Sequence, residues 1–339
     1  VHYLITGHTG FKGAWLALLL SQRGHEVSGI SLDPLNGSLF ELAALSDLFV
    51  HDVRCDIRSS LETENNVRDI APDIVVHLAA QPLVRESYRE PRMTYETNVM
   101  GTYNVLESVS RTPSVKAFVV VTTDKVYRNI ERVTGYGEDD PLGGDDPYSS
   151  SKAMADILTQ SWVKSFPGVP TAVARAGNVI GGGDATNDRL LPDLMNSFAK
   201  HETAVLRFPA AVRPWQHVLD CLDGYVALCE ALLAGKGSGQ WNFGPGTESF
   251  VPVSDVADTA AAYWGGDAGW VADTQTNLHE AGLLVLDSSR SEQQLAWRNH
   301  LGFPECVHWT IDWNRMVRSG ISPRDASLRQ LNDYESLPR

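Results

Sequence analysis

The sequence is short of cysteine: Cys55, Cys221, Cys229 and Cys306 are the only four in 339 residues. No two of them form a CxxC pair or a zinc-ribbon spacing, which excludes a disulfide scaffold and leaves no metal-ligand pattern. Reduced thiols in a cytoplasmic protein are expected. Basic residues are scarce too, with 28 Lys and Arg against 42 Asp and Glu, for a formal net charge of −14. Such a surface repels phosphate backbones and argues against nucleic acid as a partner. Long apolar runs are missing: AWLALLL, from Ala14, is far below the roughly 20 residues that span a bilayer, so no membrane role is expected. No signal-peptide pattern, internal repeat or low-complexity stretch is visible. The chain opens on Val1, inside an expected strand and without a methionine, which predicts that a few residues precede it.

What is present is 43% hydrophobic residues, enough for one large core or two unequal ones. VHYLIT (Val1–Thr6) predicts a strand, FKGAWLALLLSQRG (Phe11–Gly24) a helix ending on glycine, and HEVSGISL a second strand. DIVVHLAA (Asp73–Ala80) is a third strand, preceded by a polar helix around Ser60–Ile70. A helix from about Tyr95 to Ser110 leads into AFVVVT, and another from Tyr148 to about Phe166 leads into TAVARAG. This alternation predicts the α/β class, with a Rossmann-type doubly wound parallel sheet. After Asn178 the pattern loosens. GGGDATNDR reads as a loop, PDLMNSFAK as a helix, AVLRF and GQWNFG as short strands, and VSDVADTAAAYW as a helix with Ser254 as N-cap. The expected division is a Rossmann domain over 1–177, with segments at about 205–245 crossing back, and a smaller mixed α/β lobe over 178–339, mainly for substrate.

TGHTGFKG (Thr6–Gly13) joins the first strand to the first helix and spaces Gly7, Gly10 and Gly13 as GxxGxxG. A pyrophosphate needs a tight turn, no side chain where it meets backbone, and free N–H groups at a helix start. The second strand ends near Ser31, with Asp33 two residues on and no arginine beside it to meet a 2′-phosphate. That favours NAD over NADP. Asp33 has two readings, a ribose contact or simply the start of the DPLNG turn.

YSSSK sets Tyr148 and Lys152 at i and i+4, on one face of one helix. A phenol ionises at about 10, too high for a base at neutral pH, and a nearby ammonium lowers that value. The bland alternative is a surface tyrosine near a surface lysine. AFVVVTTDKVY ends a strand on Thr123, Asp124 and Lys125, at the carboxyl edge where open α/β sheets hold ligands.

Together TGHTGFKG, the LAAQ strand end, NVMGT (Asn98–Thr102), TTDK and YSSSK resemble the extended short-chain dehydrogenase/reductase family, in its nucleotide-sugar branch. GHTGFKGAWL, AAQPLVRESY, RAGNVIGGGD, RPWQHV, WNFGP and HEAGLLVLDSS resemble the subfamily of CDP-glucose 4,6-dehydratases. The likeness runs from about Thr6 to Ser289.

The resemblance implies a bound NAD and a nucleotide-diphosphate hexose as substrate. It implies that Gly7, Gly10, Phe11 and Gly13 hold the pyrophosphate with Thr9 beside them, that Asp56 and Ile57 flank the adenine, and that Leu78, Ala79, Ala80 and Gln81 line the cofactor. Asn98 is implied to be structural. The implied reaction oxidises the sugar at C4, loses water across C5 and C6, and returns hydride to C6. Tyr148, assisted by Thr123 and Lys152, would take the 4-OH proton, and Asp124 would be the acid at the C6 oxygen. Relatives acting on dTDP-glucose carry a glutamate beside that aspartate. Lys125 stands there instead, as a C5 base if neutral or an electrostatic stabiliser if charged, unless it only pairs with an acid outside the site.

Arg213 and Arg189 are the expected diphosphate clamps, Asn178 the contact to diphosphate or sugar, and Arg85 with Gln81 the hexose-facing pair. Many relatives place an arginine where this chain has Asn277, followed by His279 and Glu280. A homodimer through the helices near Tyr95–Ser110 and Tyr148–Phe166 is implied. Two alternatives compete. A nucleotide-sugar 4-epimerase needs no acid at C6, and a non-catalytic NAD sensor needs no tyrosine base.

Overall fold

The computed structural model describes residues 1–274 and 282–338. Its strands are β1 (His2–Thr6), β2 (Glu26–Ser31), β3 (Phe49–Arg54), β4 (Ile74–His77), β5 (Ala117–Thr123) and β6 (Thr171–Ala176). There follow β7 (Asn178–Ile180), β8 (Ala204–Leu206), β9 (Val212–His217), β10 (Gly239–Phe243), β11 (Phe250–Pro252) and β12 (Trp270–Ala272). Seven strands form one sheet in the order β10-β6-β5-β4-β1-β2-β3, and every pairing in it is parallel. This is the expected Rossmann-type sheet.

The strands run parallel through helical crossovers, which cover both faces of the sheet. Alternate residues of one strand serve opposite layers. Ile5, Val119 and Val121 join the layer built with the helices Phe11–Gln22 and Val218–Leu233. Leu4, Val75, Phe118 and Val120 join the layer with Val67, Val105 and Leu106. The strand order reverses between β1 and β4, so the crevice at their carboxyl ends is the switch point where such sheets hold ligands.

Four expectations need correction. β3 was not foreseen, because it is an edge strand whose only buried residue is Phe49, so it lacks an apolar signature. The helix expected from Tyr95 to Ser110 is Pro91–Tyr95, a π-helical turn at Glu96–Met100, and Gly101–Ser110. The chain that returns to the sheet is Val218–Phe243, not 205–245: β8 pairs with β12, and β9 with β7 and β11, in separate small sheets. The helix Val253–Trp264 has Pro252 at its N-cap, and Ser254 lies inside its first turn.

The C-terminal segment is tied back through Asp220. Its carboxylate accepts from the His300 and Leu301 N–H groups at 2.8 and 3.2 Å and from Tyr334 Oη at 2.9 Å. Burial pushes Asp220 up to about 7 against those three donors.

Candidate active site

The glycine turn is built for close approach. Gly7 has φ +78°, and a Cβ there would lie 2.7 Å from the Ala79 nitrogen. A Cβ at Gly13 would overlap the Gly7 carbonyl and come within 2.6 Å of His8 Cα. Gly10 caps the helix Phe11–Gln22, whose first-turn N–H groups face the switch point. These residues fit a dinucleotide pyrophosphate. The Thr9 hydroxyl is engaged within the protein. It donates to the Leu32 carbonyl at 3.0 Å, leaving Ser31 Oγ to donate to it at 2.7 Å. Thr9 therefore straps the turn to the end of β2.

At the adenosine end, Asp33 is 90% exposed and Arg54 Nε lies 3.4 Å from it. This arginine was invisible beside β2 because it comes from the unforeseen β3. It also pairs with Asp52, which in turn meets His8 Nε2 at 2.7 Å. Asp56 is engaged by Arg58, through its N–H at 2.9 Å and its guanidinium at 2.6 Å. Ile57 is buried, with its carbonyl accepting from Asn104 Nδ2 at 2.8 Å.

Leu78 to Gln81 leave the end of β4, fixed by an oriented chain of bonds. The Ala79 N–H donates to Thr6 Oγ1 at 3.2 Å, and Thr6 donates to His77 Nδ1 at 2.6 Å. His77 Nε2–H then donates to Thr102 Oγ1 at 3.1 Å, and Thr102 to the Asn98 carbonyl at 2.7 Å. The network assigns this tautomer, and burial keeps the ring neutral by pushing it down to about 3. Asn98, in the π-helical turn, accepts from Gln81 N at 2.8 Å and donates to Gln81 O at 3.0 Å and Ser151 Oγ at 2.8 Å. Gln81 does not present its side chain to a hexose. Its amide is spent on the Leu83 carbonyl, the Leu83 N–H and Thr94 Oγ1.

The tip of β5 and the helix Pro147–Ser165 carry the candidate proton-transfer groups. Asp146 caps that helix, accepting from Ser149 N at 2.9 Å, and so fixes Tyr148 in its first turn. Thr123 Oγ1 donates to Asp124 Oδ1 at 2.8 Å and accepts weakly from Lys125 N at 3.4 Å. Asp124 is 1% exposed, and its Oδ2 has no hydrogen-bond partner among the described residues. Burial pushes this carboxyl up, against the pull of Lys125, Thr123 and Arg213. A carboxyl raised by burial, with one unsatisfied oxygen, suits an acid that gives up a proton.

Tyr148 is buried, and that burial pushes its phenol up to about 12. Arg189 is the chief group pulling it back. Lys152 stands one turn after Tyr148 on the same helix. Lys152 Nζ donates to the Val121 carbonyl at 2.8 Å, and burial, with Lys12 behind it, brings this ammonium down to about 8. Lys125 is half-buried and forms no ion pair among the described residues, so no outside acid claims it; its charge acts on Asp124.

Arg213, on β9, is buried and donates to the Val212 carbonyl at 2.8 Å. Arg189 precedes the helix Leu190–Ala199, and its buried Nε has no partner among the described residues. The fields of these two guanidiniums reach Asp124 and Tyr148 respectively. Arg85 is bound to Asp188 at 3.0 Å, and Arg207, which the sequence did not single out, holds the same carboxylate at 3.1 Å. Asn178 opens β7 directly after Gly177, where a Cβ would lie 3.4 Å from Asp124 Oδ2. Asn277, His279 and Glu280 lie outside the described residues.

Residues 3–244 match the model of the NAD dependent epimerase/dehydratase family. The chain is 43% identical to a CDP-glucose 4,6-dehydratase of Salmonella typhimurium, over 98% of this chain and 95% of that protein. It is 30% identical to a dTDP-glucose 4,6-dehydratase of Streptomyces griseus, over 95% and 96%. The crystal structure of dTDP-glucose 4,6-dehydratase from Bacillus anthracis in complex with NAD superposes with a TM-score of 0.80 at 22% identity, covering 94% of this chain and 98% of that one.

Proposed function

The chain belongs to the NAD dependent epimerase/dehydratase family, and from that membership we propose that it is an NAD-dependent nucleotide-sugar 4,6-dehydratase whose substrate is CDP-glucose. The observation that carries this is Asp124. A buried carboxyl with an unsatisfied oxygen, beside Tyr148, supplies the acid that a dehydration needs and a 4-epimerisation does not. The choice of CDP-glucose rests on the 43% identity to the Salmonella typhimurium enzyme.

Gly7, Gly10, Phe11 and Gly13 would hold the NAD pyrophosphate, with Leu78 to Gln81 along the cofactor. Bound NAD supplies the hydride acceptor at C4 and the donor at C6. Tyr148 takes the 4-OH proton, with Thr123 at the tip of β5 assisting it. Lys152, seated on the Val121 carbonyl, would hold the nicotinamide ribose. The C4 ketone acidifies the C5 proton, and Lys125 serves that step, as a neutral amine that takes the proton or as an ammonium that stabilises the enolate. Asp124 gives its proton to the C6 oxygen, which leaves as water. Arg189 and Arg213 clamp the diphosphate, and the lobe after residue 178 carries the substrate contacts.

We further propose a homodimer. Met100, Met154 and Ile157 are 52, 48 and 53% exposed on the helices around the site, an apolar face that a second copy would cover. Four buried free thiols favour the cytoplasm. No helix among the described residues is long and apolar enough to cross a membrane.

The test is to offer CDP-glucose and dTDP-glucose separately to the NAD-loaded protein and weigh the products. A CDP-sugar lighter by one water is expected. An isomer of unchanged mass would make it an epimerase, and NAD binding without turnover a sensor.

A further inference from the structure

Behind the site lies a charged network that the proposed chemistry does not use. Asp156 and Arg175 are 0 and 1% exposed and form a two-pronged pair, Nε to Oδ2 at 2.7 Å and Nη2 to Oδ1 at 2.9 Å. Asp156 stands one helical turn after Lys152, on the same face of its helix. It also accepts from Thr122 Oγ1 at 3.2 Å. Thr122 lies between Val121, whose carbonyl seats the Lys152 ammonium, and Thr123. Arg175, on β6, donates to Tyr127 Oη at 2.9 Å and to the Glu138 carbonyl at 3.0 Å. Tyr127 follows Asp124 and Lys125 within three residues and donates to Asn242 Oδ1 at 2.7 Å. One buried pair thus connects the helix carrying Tyr148 and Lys152 to both flanks of the strand tip carrying Thr123, Asp124 and Lys125.

A buried ion pair is poor evidence for stability, since apolar residues of similar volume often do as well. Its value has to be sought in position and charge. We propose that Asp156 and Arg175 are positioning residues for the reaction: they hold Lys152 on the Val121 carbonyl in register with the strand tip, and Arg175 tempers the charge that Asp156 presents to the ammonium. This rests on the role given to Lys152 above. The groups facing Lys152 are Lys12 from the first helix, which disfavours its charge, Asp156 from its own helix, which favours it, and His77 from β4, which is neutral.

The test reads the pH at which Lys152 loses its proton, from the alkaline limb of kcat/KM and, independently, from the pH dependence of NAD binding, which needs no sugar. Failure of the sugar chemistry therefore leaves the second readout intact. Arg175→Met leaves Asp156 unopposed and should move the limb up by about one pH unit. Asp156→Asn leaves the guanidinium unopposed and should move it down by a similar amount. The double variant Asp156→Leu/Arg175→Leu should return the limb toward wild type while kcat stays low and KM is unchanged. Shifts of the same sign in both single variants, or none, would overturn the proposal. If the single variants do not fold, Arg175→Lys and Thr122→Val take their place. Each keeps the charge but loosens the geometry, so kcat should fall with the limb unmoved, and wild-type kcat in both would equally overturn it.

Discussion

Replacing Asp124 by Asn separates the first half of the proposed reaction from the second. The substitution is nearly isosteric. The amide oxygen keeps the 2.8 Å bond from Thr123, and the amide nitrogen takes the place of Oδ2, which has no partner to lose among the described residues. What disappears is the transferable proton. General acid catalysis of this kind contributes about 10²–10⁴ in rate, or roughly 3–5 kcal/mol of barrier, so water loss should slow by that factor. Proton abstraction at the 4-OH should not slow, because a protonated Asp124 and an asparagine are both neutral toward the Tyr148 phenol. In single turnovers with CDP-glucose, the near-ultraviolet absorbance of reduced nicotinamide should appear at the wild-type rate and then persist, while the lighter sugar forms slowly. Folding should not suffer. Burial raises the Asp124 carboxyl, so its contribution to stability is present below the ordinary carboxylate range and is lost as pH rises through the folded value. The Asn variant lacks that loss and should melt no lower than wild type at neutral pH. Water loss at the wild-type rate would refute the acid assignment; equal slowing of both steps would show a merely structural residue.

Activity should fall as pH rises through about 8, where Lys152 gives up its proton, and Lys152→Met should remove that limb together with most of the activity; a rate that holds well past that pH would count against a charged Lys152. Gly7→Ala should weaken NAD binding and lower the melting temperature, because φ +78° is strained for alanine by about 1–3 kcal/mol and its Cβ would lie 2.7 Å from the Ala79 nitrogen; unchanged calorimetric binding would contradict the cradle. Ile157→Glu should convert a dimer to a monomer in gel filtration with its circular dichroism retained, and a wild-type chain already monomeric would dismiss the proposed dimer.

The sheet was legible because its strands are continuous apolar runs: β5 is buried at every residue, and such runs between amphipathic helices have few other solutions. β3 was not, since an edge strand exposes most of its side chains and composition alone cannot separate it from a loop. The fault line in the Tyr95–Ser110 helix was hidden for another reason. The π-helical turn exists to aim Asn98 at Gln81 and Ser151, a tertiary demand with no local signal. Within the candidate site, spacing placed Tyr148 and Lys152 on one helix face and Thr123 and Asp124 at one strand end, because helix pitch and a strand end fix such places. It could not say which cation faces which acid. Arg189 from a distant loop, not Lys152 one turn away, is the chief charge on the phenol. Gln81 and Thr9 are polar residues at turns after β4 and β1 whose side-chain bonds hold those turns, a task that sequence alone does not reveal.

The most direct measurement follows one deuterium. CDP-glucose labelled at C4 is converted by the NAD-loaded protein, and the product is examined by mass and by NMR. The expected product is a sugar lighter by one water with the deuterium in its C6 methyl group. Deuterium back at C4 in a sugar of undiminished mass would contradict it.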